Sequence, residues 1–191
     1  MQSVRAASVY SHELAAKAGV TAAQVRRDMM AVGYSGSPTR GYSVAGLADA
    51  IGRFLDPETP EGVAIVGVGN LGRAILAYFA GRRPKLRVTA AFDTDPEKVG
   101  RIIHGCRCYS IEEAGQRIPE LKIHVAVLTV PAAVAQRAAE ILCRAGVSGL
   151  LNFAPVRLRV PREVYVEDID MTTSLEKVAY FARQTPARKE L

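Results

Sequence analysis

The stretch of sequence that decides the fold is Gly62-Val-Ala-Ile-Val-Gly-Val-Gly-Asn-Leu-Gly72. Its apolar run, 63–66, is typical of a strand that is buried on both faces of a sheet. Gly67, Gly69 and Gly72 then form the pattern G-x-G-x-x-G directly before a helical pattern. In such a turn the glycines permit a tight bend, a close approach of the backbone to a pyrophosphate, and close helix–strand packing. The stretch therefore predicts the first strand, turn and helix of a dinucleotide-binding sheet.

A carboxylate stands where such a sheet usually binds the ribose of adenosine. The next apolar run, 88–92, ends at Asp93, about 20 residues beyond the last glycine of the motif. A carboxylate there accepts hydrogen bonds from the ribose hydroxyls and repels a 2′-phosphate. The acidic segment Asp93-Thr-Asp95 offers no nearby arginine for that phosphate, so the pattern favours NAD(H) over NADP(H). Two alternatives stay open: a domain that uses the glycines only for packing, and a domain that binds coenzyme A.

Composition limits the class of protein. A chain of 191 residues allows one large domain or two small ones, and a net charge of +6 suggests a polyanionic partner, although a mildly basic enzyme would look the same. The apolar runs are too short to cross a membrane, and the N-terminus lacks a signal-peptide core. Cys106, Cys108 and Cys143 are typical of reduced cytosolic thiols. Cys106-x-Cys108 could be a redox pair, but we expect these two to lie in a solvated turn. The protein is therefore predicted to be cytoplasmic and free of membranes.

A helix-turn-helix is predicted near the N-terminus. Two short helical patterns, 11–18 and 22–31, are separated by a glycine, and Ser11 and Thr21 are placed to cap them. The second helix carries side chains suited to DNA on or beside its outer face: Gln24, Arg26 and Arg27. Arginine can bind guanine or phosphate and glutamine can pair with an adenine edge, whereas an ordinary helical hairpin with solvated arginines is the alternative.

A wing follows the two helices. Residues 33–44 are rich in turn formers and predict a β-hairpin with Arg40 near its tip or return strand. An arginine there could enter a minor groove. A further amphipathic helix over 47–55 precedes a linker in 56–62, so residues 1–56 are predicted to form a DNA-binding domain.

The remaining chain alternates strands and helices, which predicts an α/β domain, 61–170, with a doubly wound, mostly parallel sheet. Ligands in such sheets bind at the carboxyl ends of the strands. Those ends would bring together Gly67–Gly72, Asp93, Thr129–Pro131 and Asn152–Phe153. A last helix, 171–184, carries apolar residues that could pack on another subunit.

Taken together, these stretches resemble the Rex family, redox-sensing transcriptional repressors of bacteria. The resemblance covers nearly the whole chain. It is carried by Gln24-Val-Arg-Arg-Asp28, Gly41-Tyr42, Gly67-Val-Gly-Asn-Leu-Gly72, Phe92-Asp93, Asp95-Pro-Glu-Lys-Val-Gly100, Leu128-Thr-Val-Pro131, Gly149-Leu-Leu-Asn-Phe-Ala-Pro155 and Asp168-Ile-Asp170. The resemblance implies a homodimer with an N-terminal winged helix, a Rossmann domain that binds NADH or NAD⁺, and a C-terminal helix exchanged between subunits. It also implies a repressor that releases an inverted-repeat operator in double-stranded DNA when NADH rises.

The resemblance also implies roles for particular residues. Pyrophosphate contacts fall at Gly69, Asn70 and Leu71, and the adenosine ribose at Asp93. The nicotinamide would lie near Thr129, Val130 and Pro131, with Asn152 at the same crevice. Tyr78 and Asp170 would belong to the polar switch that reports the redox state, and Arg26 and Arg27 to the recognition helix.

Two features depart from the Rex pattern. The family has an amphipathic helix that precedes the helix at Ser11 and supplies an arginine to the switch, whereas only ten residues precede Ser11 here. We therefore expect a misassigned start at Met1, a fragment, or loss of that helix. The wing has Pro38-Thr39 where the family has Arg-Gly, and its arginine stands at position 40.

An enzyme is the competing class. An NAD-dependent dehydrogenase needs a general acid or base beside the nicotinamide. None of the histidines, His12, His104 and His124, is well placed for that role. A coenzyme-A-binding module of the kind found in acyl-CoA ligases is the other alternative, and Asp93 argues against it. We therefore expect no enzymatic activity.

Overall fold

The computed structural model describes residues 8–55, 60–80 and 85–184. The chain divides into two compact units, Met1–Thr59 and Pro60–Leu191. Most of the predicted linker lies outside the described residues. That the last helix, 171–184, is a separate third part of the chain stays a prediction.

The N-terminal unit contains two helices, a short two-stranded sheet and a third helix. Its elements are β1 (Ser8–Val9), α1 (Ser11–Ala18), α2 (Ala22–Ala31), β2 (Tyr42–Ser43) and α3 (Val44–Leu55). Five apolar side chains from these elements are buried: Ala15, Val25, Tyr42, Leu47 and Ala50. The predicted helix-turn-helix is therefore confirmed, because α1 and α2 place one apolar side chain each in this small core.

The caps of the two helices differ from each other. Thr21 caps α2 as predicted, since its hydroxyl accepts the N–H of Gln24 at 3.2 Å. The prediction that Ser11 caps α1 is wrong, because Tyr10 is the N-cap and its N–H donates to the carboxylate of Glu13 at 2.7 Å. Ser11 is already helical, and its Oγ accepts Nη1 of Arg26 at 3.3 Å.

The wing is smaller than the predicted hairpin. Ser37 and Gly41 exchange both backbone hydrogen bonds, at 2.9 and 2.7 Å, and close a tight turn that contains Arg40. The next residues do not return along that turn, because β2 pairs antiparallel with β1. Gly41 has φ +68°, and a Cβ there would lie 2.6 Å from the carbonyl oxygen of Val9. The glycine thus lets the wing approach β1, a contact that local turn patterns do not reveal.

The second unit is a seven-stranded sheet with helices between its strands. Its strands are β3 (Glu61–Val66), β4 (Leu86–Asp93), β5 (Ile102–Ile103), β6 (Cys106–Ser110), β7 (Ile123–Leu128), β8 (Gly149–Asn152) and β9 (Tyr165–Asp168). Its helices are α4 (Asn70–Phe79), α5 (Ala114–Glu120), α6 (Ala132–Arg144) and α7 (Met171–Gln184). The strand order is β5-β6-β4-β3-β7-β8-β9, and every pair is parallel except β5 with β6. The predicted Rossmann-type α/β fold is confirmed.

The central strand β3 is buried on both faces, as its continuous apolar run predicts. Ala64 and Val66 belong to a cluster that includes Leu142 of α6. Val63 and Ile65 belong to a second cluster that includes residues of α4. The sheet therefore separates two apolar layers.

The predicted solvated turn at the two nearby cysteines is wrong. Cys106 and Cys108 are buried in β6, with 4% and 0% of their surface exposed. Cys108 lies opposite Ala91 because β6 adds to β4 in parallel. Burial raises the pKa of the Cys106 thiol to about 11, and burial together with the Asp93 carboxylate raises the pKa of Cys108.

We expect Cys106 and Cys108 to be unreactive in the folded protein, because the thiolate is the nucleophile and both groups are buried. Ellman's reagent should label the Cys143→Ser variant only after guanidinium is added. Cys143 is half-buried in α6. We therefore expect any slow labelling of the native wild type to occur at Cys143, and not at the other two cysteines. Rapid native labelling of Cys143→Ser would contradict the burial of β6.

Candidate functional site

The candidate site lies at the carboxyl edge of the sheet, where the strand order reverses. Strand β3 stands between β4 and β7. Helix α4, which follows β3, packs in one apolar layer, and helix α6, which follows β7, packs in the other. A crevice at this position binds ligands in open α/β sheets. The loop after β3 and the loop after β7 form its two walls.

These two loops are joined by one hydroxyl. Thr129 Oγ1 donates to the carbonyl oxygen of Gly67 at 2.6 Å and lies 3.0 Å from that of Val66. Gly67 has φ +90°, and a Cβ there would lie 2.7 Å from Val130 Cγ1. A Cβ at Gly72 would collide with the carbonyl oxygen of Gly67 and would lie 2.9 Å from Thr129 Oγ1. Two glycines of the motif are therefore needed for packing.

Gly69 differs from the other two glycines. A Cβ there would meet no atom within 4 Å, so the fold itself does not require a glycine. Gly69 is the N-cap of α4, and its carbonyl oxygen accepts the N–H of Arg73 at 3.0 Å. This is the first backbone hydrogen bond of the helix. The N–H groups of the first turn, including those of Asn70 and Leu71, have no acceptor within the helix. This open helix start favours an anion.

Asp93 ends β4 beside this loop. Its Oδ2 accepts the N–H of Val68 at 2.7 Å, and its Oδ1 accepts the N–H of Asp95 at 3.0 Å. Burial alone would raise the pKa of Asp93, but these two N–H groups and the Lys98 ammonium outweigh it and lower the pKa. The carboxylate is therefore ionised and fixed in orientation, and Oδ1 retains a lone pair for a further donor.

Sequence reasoning missed a cation beside this carboxylate. Lys98 Nζ lies 3.2 Å from Asp93 Oδ2 and 3.3 Å from Asp95 Oδ2. The segment around Asp93 therefore carries a positive charge, that of Lys98, although Asp93-Thr-Asp95 itself contains no arginine. The three-residue spacing from Asp95 to Lys98 could have revealed it. A cavity of about 530 Å³ opens on this side, lined by Arg73, Asp95, Glu97, Lys98, Arg101, Ile102, Ile103 and His104.

The residues expected near the nicotinamide fall into two groups. Thr129, Val130 and Pro131 connect β7 to α6, with Pro131 exposed at the start of the helix. Asn152 ends the neighbouring strand but is 1% exposed. Its Nδ2 donates to Val156 O and to Asp168 Oδ1, each at 2.8 Å, and its Oδ1 accepts the N–H of Ala154. Asn152 thus holds the loop and β9 in place, and its direct contact with a nucleotide stays a prediction.

The two expected switch residues lie on α4 and at the start of α7. Tyr78 is 56% exposed, and its ring meets that of Phe79 edge-on at 5.2 Å. Asp170 accepts the hydroxyl and the N–H of Thr173 at 2.6 and 2.9 Å. The hydroxyl of Thr173, followed by its N–H, lowers the pKa of Asp170. Their predicted cooperation is not tested by these contacts.

Helix α2, the predicted recognition helix, carries a linked row of polar side chains. Arg27 Nη2 donates to Gln24 Oε1 at 2.6 Å, and Gln24 Nε2 donates to Asp28 Oδ1 at 2.7 Å. Arg26 and Arg40 are exposed on the helix and in the wing turn. The N-terminal turns of α2 therefore present donors and acceptors of the kind that read base edges.

Helix α7 leaves an apolar face exposed, and none of its residues is buried. The exposed apolar side chains of α7 are Met171, Leu175, Val178, Tyr180 and Phe181, and their three- and four-residue spacing puts all but Tyr180 on one face. Exposed apolar side chains grouped on one face mark an interaction site.

Within the described ranges, no group of three or more histidine, cysteine or acidic side chains could hold a metal ion. The helices of those ranges also include none with the length and apolar character needed to cross a bilayer.

Comparisons with known proteins agree with this geometry. A family model described as CoA binding domain matches residues 58–156. The chain is 39% identical over 173 residues to the redox-sensing transcriptional repressor Rex of Lactobacillus acidophilus. The aligned region covers 91% of this chain and 82% of that protein. It is 38% identical over 182 residues to the repressor of the same name from Listeria welshimeri. That alignment covers 95% of this chain and 85% of the relative.

Solved structures give the same result. The chain is similar to the crystal structure of RSP, described as a Rex-family repressor, in complex with β-NAD⁺ and operator DNA. That match has a TM-score of 0.80 and 32% identity, and covers 93% of this chain and 82% of the other. The complex of RSP with β-NADH matches with a TM-score of 0.77, 31% identity and coverage of 92% and 82%.

The glycine geometry yields a paired prediction. Gly72→Ala should lower the free energy of unfolding by about 1–3 kcal/mol, because its Cβ meets backbone that cannot move away. Gly69→Ala should change it by less than about 1 kcal/mol, because the Cβ enters open space at an N-cap. Guanidinium denaturation followed by circular dichroism measures both, and an equal loss in the two variants would contradict the close packing at Gly72.

Proposed function

This chain belongs to the Rex family of redox-sensing transcriptional repressors, and we propose that it represses transcription by binding operator DNA and releases that DNA when NADH rises. The observation that carries the proposal is its match, over 93% of the chain, to a Rex-family repressor solved with β-NAD⁺ and operator DNA. The curated relatives are named repressors, so the protein acts as a regulator and not as an enzyme. Because its target is chromosomal DNA, we place its action in the cytoplasm.

The proposed nucleotide site is the crevice at the carboxyl ends of β3, β4 and β7. Open space at Gly69 and the free N–H groups of the α4 start fit a pyrophosphate. Asp93 retains acceptor capacity for the ribose hydroxyls. The residues that would hold the cofactor are Gly67, Gly69, Asn70, Leu71, Gly72, Asp93, Thr129, Val130, Pro131 and Asn152.

The redox state is sensed through charge. The bound cofactor supplies a nicotinamide ring that is cationic when oxidised and neutral when reduced. Val130 and Pro131 offer apolar surface at the start of α6, and apolar surroundings accept a neutral ring at a lower cost than a cation. This pair of residues therefore favours the reduced form.

DNA is held by the N-terminal unit. We place Thr21, Gln24, Arg26 and Arg27 in the major groove and at its phosphates, since they lie on the first turns of the recognition helix. Arg40 in the wing turn would enter the adjacent minor groove. The hydrogen bond between Arg27 and Gln24 orients the guanidinium before DNA arrives.

Two copies are needed for an inverted-repeat operator. We propose a homodimer in which the apolar face of α7 packs on the other subunit. Tyr78 and Asp170 would then respond to the charge of the nicotinamide ring and change the relative orientation of the two subunits. Only a difference in nucleotide affinity between the two states can drive release, and a 100-fold difference supplies about 2.7 kcal/mol.

A titration tests the proposal. Operator duplexes are first selected from random-sequence DNA in the presence of NAD⁺, and fluorescence anisotropy then follows binding as each nucleotide is added. We expect NADH to release the duplex at concentrations at which NAD⁺ does not, because only the neutral ring favours the released state. Equal effects of the two nucleotides would reject the proposal, and release by coenzyme A alone would assign the site to that ligand.

A second prediction concerns the dimer. Leu175 is 70% exposed, so Leu175→Glu should leave the fold of a single chain intact while it disrupts association through α7. Analytical ultracentrifugation should show a monomer, and affinity for a full operator should fall because only one half-site is bound. Lys177→Glu, on another face of the same helix, is the matched control and should remain dimeric. Persistence of the Leu175→Glu dimer would contradict the proposed interface.

A further inference from the structure

We propose that Lys98 is a latent ligand for a 2′-phosphate and that Asp93 masks it, so that the preference for NAD(H) depends on the charge of the Asp93 carboxylate. The inference rests on the proposed nucleotide site and adds a specificity-determining residue to it. Its ligand class is an adenosine nucleotide that carries a phosphomonoester on its ribose.

The masking is visible in the contacts of Asp93. Its Oδ2, the oxygen bonded to the Val68 N–H, lies 3.2 Å from Lys98 Nζ. Lys98 is partly buried, with 24% of its side chain exposed, whereas only 10% of the Asp93 side chain is exposed. The ammonium is therefore held beside the carboxylate that meets the ribose, where a 2′-phosphate would have to lie.

The surrounding charges decide what happens when the carboxylate is neutralised. The cavity beside Lys98 is lined by three permanent cations, Arg73, Lys98 and Arg101, and by two acids, Asp95 and Glu97. Arg101 faces Glu97 at 3.6 Å on the exposed side, and Lys98 would still have Asp95 at 3.3 Å. The charged residues of this lining sum to +1, and the Asp93 carboxylate beside Lys98 brings that local sum to zero. Once Asp93 loses its charge, the positive charge is no longer balanced, and Lys98 is the less exposed of the two paired cations.

Asp93→Asn removes the charge and keeps one of the two backbone hydrogen bonds of this side chain. The amide oxygen of asparagine can still accept the N–H of Val68, so the glycine loop keeps its anchor, while the N–H of Asp95 loses its acceptor. The ribose hydroxyls lose a charged acceptor, which weakens NADH binding. The ammonium of Lys98 becomes available to a phosphate dianion, which strengthens NADPH binding.

The test measures dissociation constants of the full-length protein by isothermal titration calorimetry. Probes are NADH, NADPH and coenzyme A, the last of which carries its phosphate on the 3′ position. We expect Asp93→Asn to raise the affinity for NADPH relative to NADH by about tenfold or more, as one charge-assisted contact does. The gain should disappear in Asp93→Asn/Lys98→Met and persist in Asp93→Asn/Arg101→Met, the matched control that removes the same charge nearby.

The outcomes separate this inference from the proposed function. If the wild type fails to bind NADH, the proposed function fails, and this inference, which rests on the same site, fails with it. If the wild type binds NADH and Asp93→Asn gains no NADPH affinity, or the gain survives Lys98→Met, the masking of Lys98 is wrong. A gain for coenzyme A alone would overturn the 2′ assignment. Asp93→Ser, which removes the same charge, should repeat the gain, and thermal unfolding of each variant shows that the fold is retained.

Discussion

The structure depends on the close approach of α4 to the end of β3. A Cβ at Gly72 would overlap the carbonyl oxygen of Gly67, so the helix can start this near the strand only because Gly72 lacks a side chain, and a Cβ at Gly67 would instead meet Val130 in the loop after β7. Thr129 then ties the same carbonyl to the loop after β7 at 2.6 Å. One contact region therefore joins a helix and two strands and leaves the helix start open to a ligand.

The sequence predicts those features that depend on neighbouring residues. The glycine pattern, the buried run of β3, the terminal carboxylate Asp93 and the Thr21 cap each depend on a short segment, and the structure contains all four. The pairing of β1 with β2 and the burial of Cys108 depend instead on which distant strand lies alongside. A short polar-looking strand carries no local sign of the partner that buries it.

The site shows the same division between residue type and environment. Asn152 stands at a strand end, where sequence reasoning expects a ligand contact, yet its amide is buried and bonded to Val156 and Asp168. Lys98 stands in an acidic segment that looks repulsive to phosphate, yet its ammonium is held between two carboxylates. Residue identity thus locates the crevice, while hydrogen-bond partners show which of its side chains also hold the surrounding loops and strands in place.

A physical connection runs from this crevice to the exposed helix. Asn152 Nδ2 bonds to Asp168 Oδ1, and the carbonyl oxygen of Asn152 accepts the N–H of Ile169, both at 2.8 Å. The next residue, Asp170, bonds to Thr173 and so fixes the first turn of α7. A displacement at the end of β8 would therefore reach α7 through hydrogen bonds and two covalent steps. In the proposed homodimer, α7 would pass that displacement to the other subunit through its exposed apolar side chains.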